Sequence, residues 1–178
     1  KKYFGCLPIV VSAHVKLPIK ITIEQPDQLG ADRIANGVAA FTRFGGPVIV
    51  IDFGTATNFD VVNEKGEYLG GILLPGPETA MAELARRAAR LFEVRIEPPD
   101  SVIGRSTAGA LKSGLFHGTV GQVDYLPERI IKEAGFQNPR VIATGGLAPL
   151  ICDVAETIDH VEELLTLHGL MAIFKKNR

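Results

Sequence analysis

Apolar and polar positions along the chain follow two rhythms, one of period two and one of period 3.6. Val48 to Ile51 is an unbroken β-branched run, the composition of a strand buried on both faces. Ile19, Ile21 and Ile23 alternate with Lys20 and Thr22, as in a strand with one wet face. Pro8 to Ala13 reads as a short buried strand. From Asp32, Ile34, Val38 and Phe41 recur at helical spacing until Gly45-Gly46-Pro47 stops the helix. A second apolar run passes through Asp60 to Val62, turns at Asn63 to Gly66, and returns as Tyr68 to Leu74, a hairpin whose second strand Gly70-Gly71 interrupts. Pro77 suits the first position of an amphipathic helix that carries Met81, Leu84, Ala88 and Leu91 on one face and runs to about Leu91.

Val94 to Ile96 then read as extended, and Pro98-Pro99 as a linker. A long helix is predicted from Thr107 to Ala134, closed by Gly135 and kinked or split by Pro127. Gly114, Gly118 and Gly121 recur along one side of it, which lets another backbone come close. Val141 to Gly146 is a strand ending in a glycine turn, Leu147 to Val154 a short helix, and Leu164 to Phe174 a helical tail. The pattern is that of an α/β fold, a mixed sheet flanked by helices.

Composition narrows the function classes. Hydrophobic residues make up 46% of the 178, enough for a real core, and the net charge of −1 gives no reason to expect nucleic acid or an anionic membrane as partner. Cys6 and Cys152 are too few and too far apart for a metal motif or a disulfide scaffold, and the histidines at 14, 117, 160 and 168 lack metal-ligand spacing. Buried thiols in a reducing cytoplasm are the expected state of these cysteines, and no apolar run approaches the roughly 20 residues of a membrane span. The chain starts Lys1-Lys2-Tyr3 rather than with Met, and an amino-terminal portion is expected to precede it.

Candidate chemistry gathers at the strand ends. Asp52 appears where the buried run stops, with Gly54, Thr55 and Thr57 following. A carboxylate there calls for water, a cation or hydrogen-bond donors, and the threonines offer hydroxyls to phosphate oxygens. The same letters also make an ordinary hairpin whose Asp and Thr satisfy their own backbone. Gly30-Ala31-Asp32-Arg33 sets an acid and a base at the mouth of a helix. Asp32 reads either as dipole compensation or as a base taking a proton from a hydroxyl, with Arg33 binding an anionic group. Gly145-Gly146 can seat a flat ligand or simply end a strand, and Thr107 either caps its helix or touches a substrate. The arginines at 86, 87 and 90 read as a solvated helix face.

Five motifs in order resemble the type III pantothenate kinase family from about Leu17 onward: G-A-D-R at Gly30, D-F-G-T-A-T at Asp52, G-G-I-L-L-P-G at Gly70, I-G-R-S-T at Ile103 and A-T-G-G-L-A-P at Ala143. The resemblance implies an actin-like (ribonuclease-H-like) ATPase fold, with 1–44 the remnant of one domain and its linking helix and 45–178 the C-terminal domain. It implies ATP-dependent phosphorylation of the pantothenate 4′-hydroxyl, with a divalent ion such as Mg2+, with K+ or NH4+, and with a homodimer. Asp32 would be the general base, and Gly30, Ala31, Arg33 and Thr107 would line the pantothenate pocket, Thr107 from the partner subunit. Asp52 would hold the monovalent cation, and Thr55, Gly145 and Gly146 would meet the nucleotide. The family's amino-terminal D-x-G-N-T phosphate turn has no match before Lys16, so this segment alone is expected to turn over little. Asn58 replaces a usual threonine, a mild change. A non-catalytic regulator of the Bvg accessory factor type and another actin-like small-molecule kinase are the alternatives.

Overall fold

The computed structural model describes residue 5 and residues 7–178. Six strands form one mixed sheet in the order β1-β4-β3-β2-β5-β6. They are β1 (Lys20–Ile21), β2 (Val48–Phe53), β3 (Ala56–Val62), β4 (Glu67–Pro75), β5 (Arg140–Gly145) and β6 (His160–Val161). β2, β3 and β4 make an antiparallel meander, while β5 joins β2 in parallel and β1 joins β4 in parallel. The helices are α1 (Ala31–Phe44), α2 (Pro77–Arg87), α3 (Thr107–Ala134), α4 (Ala148–Cys152) and α5 (Leu165–Asn177).

The β-branched run of β2 feeds two cores, as a strand covered on both faces must. Val48 and Val50 point to one face, where Ile34, Ala35 and Val38 of α1 and Leu165 and Ile173 of α5 cover them. Ile49, Ile51 and Phe53 point to the other, against Phe116 and Val123 of α3 and Ile151 of α4. α1 thus packs on the strands of 45–178 and also on the segment before it, whose Ile19 and Leu29 belong to the same core. α5 approaches α1 so closely that a Cβ on Gly169 would lie 1.9 Å from the carbonyl oxygen of Ala35.

Several expectations need correction. Pro8 to Ala13 is not a strand: Leu7, Ile9 and Val10 are exposed and no neighbour pairs with this segment, so apolar composition alone misleads there. The strand at 19–23 is reduced to Lys20–Ile21, and no strand forms at Val94 to Ile96. α2 ends at Arg87, with Ala88 extended. Pro127 lies inside one continuous α3 and neither splits nor ends it. It withholds a donor from the carbonyl of Val123, and the Thr157 hydroxyl supplies one at 2.9 Å. Cys6 falls outside the described residues.

Candidate active site

The site forms where the start of α1 meets the C-terminal ends of β2 and β5. Gly30 precedes α1 without a side-chain cap, and the Ile34 N–H bonds its carbonyl. Asp32 in the first turn folds back over it: a Cβ at position 30 would lie 2.4 Å from Asp32 Oδ1, so only glycine leaves that carboxylate in place. Asp32 stays exposed, well placed both to offset the helix dipole and to meet a ligand.

Arg33 turns inward. Its Nε and Nη2 each lie 2.7 Å from Oδ1 of Asp60, a residue with no exposed surface, and the Tyr68 hydroxyl donates to the same oxygen at 2.5 Å. Burial pushes the Asp60 carboxyl up, and Arg33 and Tyr68 pull it back down. Burial and the neighbouring Asp60 charge hold the Tyr68 phenol far above its ordinary range. Gly71 clears the path, since a Cβ there would collide with the Phe59 carbonyl and sit 3.0 Å from Arg33 Nη2. Sequence reasoning misses the anchoring of Arg33 by Asp60. The available signal is a charged residue inside the buried run Phe59 to Val62.

Asp52 lies opposite Asn58 on β3 and Thr144 on β5. Its Oδ2 accepts a 2.7 Å hydrogen bond from Asn36 Nδ2, and Asn36 Oδ1 accepts one of 2.7 Å from the Thr166 hydroxyl. Asp52 Oδ1 faces the turn, 4.0 Å from where a Cβ on Gly54 would stand. Burial raises the Asp52 pKa, the Asn36 bond lowers it, and the charge of Asp32 raises it further. Asn36, one turn along α1 from Asp32, thus ties the segment that carries Asp32 to Asp52. Two buried acceptors on the same face of β3, Asn58 Oδ1 and Asp60 Oδ2, have no donor among the described residues.

The turn Gly54-Thr55 is pinned from below. Gly76 N–H and Thr79 Oγ1 both donate to the Thr55 carbonyl, at 2.9 and 2.7 Å, and leave Thr55 exposed at the tip. Thr57, by contrast, is buried on the α3 side, so strand alternation takes its hydroxyl away from the cleft. Gly145 has φ +92° and presses on the Phe53 carbonyl, while Gly146 faces open space. Thr107 belongs to α3, the helix that covers the opposite face of β2 from α1. It opens α3 with its side chain exposed, and Ser106 is the cap, accepting from Gly109 N. Asn36 of α1, the helix that carries Asp32 and Arg33, thus holds Asp52 at the end of β2, beside the Gly54-Thr55 turn and Gly145, the register partner of Phe53.

Comparison with known proteins covers the whole chain. A family model for type III pantothenate kinase matches residues 1–129. A type III pantothenate kinase of Parafrankia sp. is 51% identical over 175 residues, which cover 98% of this chain and 69% of that one. Another, from Exiguobacterium sp., is 46% identical over 178 residues, 100% of this chain and 69% of its own. A crystal structure from Campylobacter jejuni, named for the Baf family of transcriptional activators, superposes with a TM-score of 0.59 at 29% identity. It covers 88% of this chain and 67% of that one.

Proposed function

The chain belongs to the type III pantothenate kinase family, whose members phosphorylate pantothenate in the first step of coenzyme A biosynthesis, and we propose that its part in that reaction is carried by the Asp32–Asp52 cleft. Phosphoryl transfer needs little covalent chemistry from protein, mainly positioning and charge neutralisation. Asp32, exposed at the start of α1, takes the proton of the attacking 4′-hydroxyl. Gly30 and Ala31 leave backbone free beside the substrate. Arg33, fixed by Asp60, offers its remaining edge to the pantothenate carboxylate. Thr55, Gly145 and Gly146 border the space for ATP. The observation that carries this reading is the 2.7 Å hydrogen bond from Asn36, one turn along α1 from Asp32, to Asp52, which ties the two acid-bearing segments together.

The residues around Asp52 fit a monovalent cation. One carboxylate oxygen is held by Asn36 and the other faces the turn, and the buried Asn58 Oδ1 beside it lacks a donor, an all-oxygen set suited to K+ or to NH4+. Such an ion would offset phosphate charge. A divalent ion such as Mg2+ would be carried mainly by the ATP phosphates with one or two carboxylates, and no group of three or more His, Cys, Asp or Glu stands together among the described residues.

Thr107 reaches pantothenate from a second copy of the chain. Gly114, Gly118 and Gly121 support a homodimer, since a Cβ on any of them would meet nothing within 4 Å and the face is open to another backbone. No helix among the described residues is long and apolar enough to cross a membrane, and we place the enzyme in the cytoplasm. The Campylobacter likeness favours one second reading, a regulator that keeps the fold without the reaction. ADP release coupled to pantothenate, measured on the intact enzyme and on Asp32→Asn, decides. The expected loss is about 100-fold or more in kcat; an unchanged rate removes Asp32 as base, and ATP binding with no pantothenate turnover in the unaltered protein favours the regulator.

A further inference from the structure

Asn36 is a fully buried amide on α1, one turn beyond Asp32, and such a group is costly unless both its ends are bonded. Both are. The end facing the Asp52 carboxylate must be the donor, because an ionised carboxylate only accepts. The opposite end takes the Thr166 hydroxyl at 2.7 Å, and that bond fixes which way round the amide sits. Reversed, Asn36 would aim a carbonyl oxygen at Asp52.

Thr166 belongs to α5, the C-terminal helix, and lies beyond residue 129, where the family match ends. One turn along, Gly169 brings the α5 backbone against Ala35, the neighbour of Asn36. The hydroxyl and the amide are therefore held in register by close backbone packing and do not meet by chance of two flexible side chains. At the far end of the relay, Asp52 Oδ2 is occupied by Asn36, which leaves Oδ1 directed toward Gly54.

We propose that Thr166, acting through Asn36, is a positioning residue that aims Asp52 Oδ1 at the ligand side of the Gly54 turn, which makes the C-terminal helix part of the support of the cation site. This rests on the reading of Asp52 as the carboxylate that holds the monovalent cation. Supporting partners of a ligating group, when removed, typically cost about 10–100-fold in affinity.

The test uses the intact enzyme with a non-hydrolysable ATP analogue and K+ titrated against an inert organic cation, read as the K+-dependent rise in melting temperature. Thr166→Val keeps the shape and removes the donor, and it is expected to raise the half-saturating K+ concentration by about tenfold or more. Thr166→Ser restores it, and the KM for pantothenate changes less than about twofold in both, because Arg33 and Asp32 are untouched. Should the valine variant not fold, Thr166→Ala carries the same expectation. An unshifted K+ midpoint in a folded Thr166→Val or Thr166→Ala protein overturns the inference. Asp52→Asn separates the two readings. If it abolishes the K+ response while the Thr166 variants leave it alone, only the positioning role fails; if it leaves the response intact, the cation site and this inference fall together.

Discussion

The Thr157 hydroxyl donates to the carbonyl of Val123, the acceptor that Pro127 deprives of its helical partner four residues on. Asp124, next along α3, accepts from the N–H groups of Glu156 and Thr157 at 2.9 and 3.1 Å. A defect in the helix thus serves as the docking point for the loop that leads into β6. Because Val123 is fully buried, removing the hydroxyl leaves its carbonyl without water or partner. Thr157→Val is expected to cost about 1–3 kcal/mol, read by denaturant unfolding. In a Pro127→Ala background the new N–H satisfies Val123, and the same substitution should cost clearly less. Equal costs in both backgrounds would refute this account of why α3 tolerates its proline.

Gly169 offers a sharper steric prediction. A methyl group at this position would approach the Ala35 carbonyl oxygen to 1.9 Å, and backbone stands on both sides, so neither helix can yield by a rotamer change. Gly169→Ala should destabilise the protein by about 2–4 kcal/mol even though alanine favours helix, because α5 must lift from α1. Gly114→Ala is the control: its Cβ meets nothing within 4 Å, and a gain of about 0.5–1 kcal/mol is expected in the isolated chain. Size-exclusion chromatography then reads the second effect, a weakened dimer, if the open glycine face is where a second copy sits. Stabilisation by both substitutions would contradict the α1–α5 packing.

What the sequence makes legible follows from the range over which its signals act. Hydrophobic period finds β2 and its neighbours, α1 and α5, since each carries enough apolar positions to declare its face. Pro8 to Ala13 has the same composition without a partner strand, and pairing is not a local property. Asp32 and Asp52 stand out as acids next to glycine turns. Asp60 and Asn36 do not, because their partners lie 27 residues away at Arg33 and 130 away at Thr166. Only their presence inside otherwise apolar stretches marks them, and a buried polar group names no partner until the fold is known.

The Arg33–Asp60–Tyr68 cluster should fail in stages. Tyr68→Phe removes one donor to an oxygen that keeps its guanidinium, with an expected cost of about 1–2 kcal/mol. Asp60→Ala leaves a mostly buried Arg33 with no counter-charge, and about 3–5 kcal/mol is expected. Arg33→Lys loses the two-nitrogen contact with Asp60, and the KM for pantothenate should rise more than kcat falls. Chemical unfolding and steady-state kinetics give the two readouts. A Tyr68→Phe protein less stable than Asp60→Ala would reverse the order that the burial of the pair demands.

Asp52 sets the sign of a pH effect. Burial, its largest influence, and the Asp32 charge raise its pKa above the ordinary value of about 4. Between those two values the folded protein holds a proton that the unfolded chain has released, so stability falls as pH rises through that window. The stabilising share is complete below about pH 4 and is lost once pH passes the raised folded value. Asn at this position has no charge to bury, and the stability of Asp52→Asn relative to the unaltered protein should therefore increase from about pH 4.5 to about pH 7. Denaturant melts in buffer free of K+ and NH4+ measure that difference, and a difference that shrinks toward neutral pH would contradict the direction. Adding K+ at about pH 7 should then stabilise the unaltered protein alone and narrow the gap, because a cation at Asp52 offsets the same desolvation that lifts its pKa.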